Sequence, residues 1–239
     1  MASGSFPSRG IAAVWGVRPP GRRGPSPGLS IGEIVAEAAA LADAQGLDAV
    51  TLPAVATRVG VATNSLYRYV ESKDELLLLL FDDGLGEPPA GLPSGEHWRM
   101  GARAWLEAVV ERYAGRPWLL DIPLHGPPIT PYAIGWLDSL LTALGGSSWD
   151  DDAALQLATL LDRLAHAIAR LRVGVLDTST DRSPGEQVTA FLRERAVAHG
   201  YAYVGTLIDR GVYGSSVGVF DLDRALDWVF AAVSPPTDT

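Results

Sequence analysis

Ser216 sits at the centre of "GSSVG", residues 214–218, the pattern of a hydrolase's nucleophile elbow. That chemistry needs a strand before the serine and a histidine after it. Here the preceding segment reads as helix, and His97, His125, His166 and His199 all lie upstream, so the stretch reads as a loop between helices. The four histidines show neither a one-turn pair nor zinc-like spacing. Three aspartates in "WDDDAAL", residues 149–155, have the chemistry for a cation, but they suit the positive end of a helix better. With no cysteine in the chain, thiolate nucleophiles and thiolate metal sites are excluded. No catalytic residue, metal ligand or cofactor is expected.

Two constellations suit binding rather than bond-making. One is "VGVATNSLYRYVESKDEL", residues 59–76, where Thr63, Asn64, Ser65, Tyr67, Arg68 and Tyr69 crowd a short element and Lys73 opens the next. The other is aromatic. Trp98, Trp105, Tyr113, Trp118, Tyr132 and Trp136 fall in one region, and large aromatics form either core or the lining of an apolar ligand cavity. His125 and Thr130 flank two prolines in "LHGPPITP", a stiff connector suited to a cavity mouth. His166 and Arg170 lie one turn apart on a largely apolar helix, as a structural network or as polar contacts to a ligand. The ligand set drawn from these is Trp105, Tyr113, His125, Trp136, His166 and Arg170.

The elements that must carry these residues are helical. Ser30 and Glu33 form a capping box ahead of Ile31, Ile34, Val35, Ala38 and Leu41, and Gly46 stops that helix. Thr51 caps a short helix from Leu52 to Val59, with Pro53 tolerated in its first turn. Gly60 makes a turn, a third helix runs from about Thr63 to Tyr69, and Ser72 with Glu75 predicts a second capping box before a leucine-rich helix from Lys73 to about Asp83. Two short helices around a glycine turn make a helix-turn-helix. Further helices are predicted near 95–114, 117–122, 130–144, 150–176, 184–210 and 221–233. No segment alternates with period two over a convincing length, so the fold class is all-α.

The chain has 239 residues, an apolar fraction of 47% and a net charge of −9, which suits a sizeable core and argues against coating nucleic acid through overall charge. The charge is uneven. Up to Glu75, Arg9, Arg18, Arg22, Arg23, Arg58, Arg68 and Lys73 balance the carboxylates, and the acidic excess follows. A neutral head on an acidic body is compatible with one local nucleic-acid surface. Residues 1–28, dense in Gly and Pro, read as a disordered basic arm. The longest apolar run, "LLLLLF" at 76–81, is too short to span a bilayer and no signal peptide is evident, so a cytoplasmic protein is expected.

Residues 29–84 resemble the DNA-binding domain of TetR-family transcriptional regulators. The resemblance rests on Ile34, Ala38, Leu41 and Gly46-Leu47, then Thr51, Val55 and Ala56, then Gly60-Val61, then Leu66-Tyr67, Tyr69-Val70, Ser72-Lys73 and Glu75-Leu76. The remainder is similar in helix order to the family's tetracycline-repressor-like regulatory domains. The resemblance implies a DNA-binding domain over 29–75 and a regulatory and dimerisation domain over 76–239. It makes 63–69 a recognition helix lying in the major groove of double-stranded DNA, with Thr51, Thr63, Asn64, Ser65, Tyr67, Arg68, Tyr69 and Lys73 as the DNA-contacting set. Short polar side chains suit base edges or phosphates, and the tyrosine hydroxyls and Lys73 suit phosphates.

It further implies a homodimer paired through the last helices, a palindromic operator and a small organic effector, in short a ligand-responsive repressor. Two departures from the family pattern bear on the DNA face. Pro53 stands where relatives carry a polar or basic residue, and Ala62 replaces a capping Ser or Thr, so the third helix is capped by Thr63 or by nothing. The alternative reading is a helical small-molecule binding protein that has lost useful DNA affinity.

Overall fold

The computed structural model describes residues 7–17, 28–146, 149–176, 186–215 and 222–232. They form helices and connecting turns, with no strand among them, as period-3.6 patterning without period-2 alternation predicts. No helix among the described residues is long and apolar enough to cross a membrane. The chain divides into two compact units, one running to Ala165 and the other beginning at His166.

The first unit opens with α1, Arg9–Val14, then α2, Ile31–Gln45. The capping box at Ser30 is formed in full, and its hydrogen bonds hold the Glu33 carboxyl below the usual carboxylate range. α3, Leu52–Arg58, starts where Thr51 Oγ1 accepts the Ala54 amide. α4, Thr63–Leu66, and α5, Lys73–Leu85, complete the head. Ile34, Ala38, Val55, Leu66, Val70, Leu76 and Leu80 are fully buried and form its core. Arg58 pairs with Glu37 at 2.8 Å, tying α3 to α2.

After α5 come a 3-10 turn at Gly95–His97, then α6, Trp98–Gly115, another 3-10 turn at Pro117–Asp121, and α7, Pro131–Leu144. α6 and α7 pack on each other and on α5. The turn at Pro117–Asp121 joins the head to this part: Trp118 Nε1 donates to Asp43 Oδ1 of α2 at 2.7 Å, and Arg116 lies 3.8 Å from both Asp43 and Asp83. α8, Asp151–Leu176, contributes Leu157, Ala158, Leu161 and Ala165 to the same core.

The second unit takes the end of α8, then α9, Glu186–Ala198, α10, Ala202–Asp209, α11, Val212–Ser215, and α12, Leu222–Ala232. α9 and α10 pack together, and Arg193 of α9 bonds Asp209 at 2.5 Å. The single helix predicted over 184–210 is thus two, broken at Gly200 by a turn in which the Tyr201 amide reaches back to the Ala196 carbonyl. Ser216 lies outside the described residues.

The disordered arm expected over 1–28 is corrected in its middle. Ser8 caps α1, Ile11 is buried, and α1 packs on α2 and α5. Six residues would not hold a helix alone; burial against α5 supplies what local propensity lacks. Residues 1–6 and 18–27 lie outside the described set.

Candidate nucleic-acid interface and ligand site

The turn between α3 and α4 is made by Gly60 at φ +72°, a left-handed conformation that costs glycine nothing. It aims α4 outward while Leu66, fully buried, pins its inner side. α4 is shorter than the predicted 63–69. Beyond Leu66 the chain curls on through three-residue steps, Arg68 N to Ser65 O at 3.3 Å and Tyr69 N to Leu66 O at 2.8 Å, and such tighter turns end helices that burial bends inward. Here Val70, fully buried, is the residue drawn in. The N-cap is Ala62, and no side chain supplies the cap hydrogen bond, so the second of the two alternatives for Thr63 holds.

The predicted polar set is accessible to solvent. Asn64, Tyr67, Arg68 and Lys73 are exposed, with Tyr67 at 51%, and Thr51, Thr63, Ser65 and Tyr69 are half-buried. None of the eight is buried, which is what an interface waiting for a polyanion requires. Among the described residues no ion pair engages Arg68 or Lys73, so both charges are available. Lys73 is the first residue of α5, where unpaired backbone N–H groups and the positive end of the helix dipole favour an anion.

The Ser72–Glu75 capping box predicted from sequence is only half formed. Ser72 Oγ accepts the Glu75 amide at 3.0 Å, but the Glu75 carboxylate turns elsewhere: it accepts the Glu71 amide and the Ser8 hydroxyl of α1. Glu75 is buried. Its role is positional, fixing the corner between Tyr69 and α5.

Of the predicted ligand residues, two come together. Trp105 and Trp136 are buried and meet edge-to-face at 5.7 Å. Trp105 Nε1 donates to the Trp136 carbonyl at 2.8 Å, and Trp136 Nε1 to the Gly86 carbonyl at 2.9 Å, which leaves their ring faces as the apolar offering. Tyr113 lies two turns further along α6, buried, its phenol pushed to a higher pKa by burial and by the charge of Asp162, with Arg163 opposing. His125 stands exposed on the connector before α7. His166 and Arg170 belong to the second unit; His166 is half-buried, Arg170 exposed, and both have partners.

Sequence reading passed over Asp82. It is buried on α5, and its Oδ1 accepts the Ala133 amide at 2.9 Å. Thr130, the residue before α7, makes no side-chain cap, so α5 caps α7 across space. Burial pushes the Asp82 carboxyl above the usual range, opposed chiefly by the hydrogen bond from the Ala133 amide, with Asp83 adding to the rise. The available signal was an acid directly following "LLLLLF" on an otherwise buried stripe.

Residues 34–80 match the family model described as bacterial regulatory proteins, tetR family. The chain is 29% identical over 232 residues to the HTH-type transcriptional repressor DrrR1 of Streptomyces coeruleorubidus, covering 92% of this chain and 84% of that one. It is 28% identical over 137 residues to an HTH-type transcriptional regulator of Saccharopolyspora erythraea, 57% of this chain and 58% of that one. Among solved structures it resembles the TetR family protein ActR of Streptomyces coelicolor. The apo form gives a TM-score of 0.70 at 22% identity, covering 86% of this chain and 96% of that one. The actinorhodin complex gives 0.68 at the same identity and coverage.

Proposed function

We propose that the chain, whose residues 34–80 match the tetR family model and which aligns along most of its length with a transcriptional repressor, is itself a repressor released from a palindromic operator by a small organic molecule. The observation that carries the reading is the α3–α4 helix-turn-helix with eight accessible polar side chains in and around it, Arg68 and Lys73 among them outside any ion pair of the described residues. A relative named as a repressor aligns over nearly the whole chain, beyond the head alone. We assign residues 29–75 to DNA binding and 76–239 to ligand binding and dimerisation, with no catalytic activity and a cytoplasmic site of action. Thr63, Asn64 and Ser65 contact base edges or phosphates; Thr51, Tyr67, Arg68, Tyr69 and Lys73 contact phosphates.

The effector site is built in the first unit around Trp105, Tyr113 and Trp136, with His125 as a polar contact; His166 and Arg170, proposed with them from the sequence, belong to the second unit. ActR, which shares the fold, was solved with actinorhodin bound, and a small organic effector is the reading we keep for this chain. The dimer forms through the second unit. Val188, Phe191, Val197, Tyr203 and Trp228 are exposed there, apolar side chains that a partner copy would cover. A twofold dimer sets two copies of α4 about 34–36 Å apart, one turn of DNA.

Selection of bound sequences from random duplexes, followed by salt-dependent binding to the winner, tests the reading. Enrichment of a palindrome whose affinity falls steeply with salt is the expected result. Enrichment of nothing at moderate salt sinks it and leaves the small-molecule binding protein standing.

A further inference from the structure

We propose that α1 is a strap coupling the DNA-facing corner of the head to the connector that opens α7, so that the tilt of α5 is fixed by two ties instead of one. The inference rests on the reading of α4 and the start of α5 as the DNA face.

The strap has two ends. At the head end Ser8 donates its hydroxyl to Glu75, the buried carboxylate that also holds the Glu71 amide. Gly10 makes this approach possible: a Cβ there would lie 2.5 Å from Glu75 Oε1, 3.0 Å from Leu79 Cδ1 and 3.1 Å from the Tyr69 carbonyl oxygen. α1 therefore rests directly on the backbone that closes the DNA-facing turn. At the far end Trp15 Nε1 donates to the Ile129 carbonyl at 2.9 Å, in the connector just before Thr130 and α7. The helix that local propensity does not support thus spans two regions that the sequence separates by more than fifty residues.

α5 is tied to that same connector a second time, without α1. Asp82 Oδ1 caps α7 through the Ala133 amide. The result is a closed ring: the start of α5 to α1, α1 to Ile129, the connector to Ala133, and Ala133 back to the middle of α5. Glu75 and Asp82 are seven residues apart, about 10 Å along a helix axis. Without the strap, and beyond its packing in the core, α5 would keep the polar tie at Asp82 as a pivot about which its start can tilt. A swivel of about 10° moves Glu75 by close to 2 Å on that lever, which a hydrogen bond does not survive. Release of the strap therefore accompanies any change in α5 tilt, and a ligand that displaces the connector reaches the DNA face by this path as well as through α5.

The test uses the full chain and the variant Trp15→Phe, which removes one indole N–H from a residue 46% exposed and leaves folding intact. Hydrogen exchange is followed at residues 69–76, the opposite end of the strap from the change. The proposal expects exchange there to quicken by about three- to ten-fold, the worth of one hydrogen bond, and affinity for a duplex selected by the wild-type chain to shift by a similar factor. Unchanged exchange at 69–76 overturns the strap whatever the DNA result. Faster exchange with unchanged duplex affinity overturns the coupling to DNA. Faster exchange in the variant, where the wild-type chain selects no duplex at all, leaves the strap standing and removes the DNA reading instead. Ser8→Ala, cut at the other end, should quicken exchange at the amides of Ile129, Thr130, Tyr132 and Ala133 by a comparable factor, and no change there also overturns the proposal.

Discussion

At the scale of single residues, Asn64 and Tyr67 separate two kinds of DNA contact. Asn64 is exposed in the first turn of α4, where a recognition helix meets base edges. Asn64→Ala should relax preference at one operator position at a cost of about 1–3 kcal/mol, read from a panel of single-substitution duplexes. Tyr67→Phe removes a phosphate-directed hydroxyl and should weaken all duplexes alike. Asp82 carries a different prediction. Its carboxyl is raised by burial, so the folded state holds that proton more tightly than the unfolded chain does. The stabilising effect is full below the ordinary Asp value of 3.8 and is lost as pH rises through the raised value. Asp82→Asn keeps an oxygen for Ala133 and carries no charge. The variant should lose less stability than the wild type as pH rises above the ordinary Asp value of 3.8, measured as the difference in melting temperature along a pH series.

At the scale of elements, caps explain both what was legible and what was not. Ser30–Glu33 and Thr51–Ala54 are written in adjacent residues and form as predicted. α1 and the cap of α7 are not: one depends on Glu75 and the other on Asp82, partners that only tertiary packing supplies. For the same reason Glu75 left the local box for a distant hydroxyl. The break at Gly200 was hidden because apolar residues continue on both sides of it. The polar face of α4 was legible because its residues are neighbours in sequence, whereas the pairing of Trp105 with Trp136 needs two helices to meet. α4 is left with an uncapped start at Ala62, whose backbone already has the extended conformation a cap requires, φ −67° and ψ 144°. Ala62→Ser should stabilise the chain by about 0.5–2 kcal/mol, seen as a higher denaturation midpoint with unchanged m-value; no gain would mean that water already serves those amides.

The whole molecule joins an acidic body to a balanced head, with apolar surface left over in the second unit. Trp228 is 64% exposed on α12, a poor arrangement for a lone chain and a good one for a twofold interface. Trp228→Glu should run at the mass of one 25.3 kDa chain in sedimentation where the wild type runs at two. Operator affinity should fall with it, because half-sites are then bound one at a time. A wild type that sediments as a single chain would overturn the dimer.

The placement of the indoles has an optical consequence. Trp98, Trp105, Trp118 and Trp136 are buried, whereas Trp15 and Trp228 face water. A collisional quencher such as iodide therefore reaches the strap and the last helix while leaving the interior emission untouched. With the half-buried Trp149 and the exposed Trp228 both replaced by Phe, the quenchable, red-shifted part of the fluorescence reports on Trp15. The chain then carries its own unlabelled gauge of whether the strap is fastened, readable in milliseconds as DNA or an effector is mixed in.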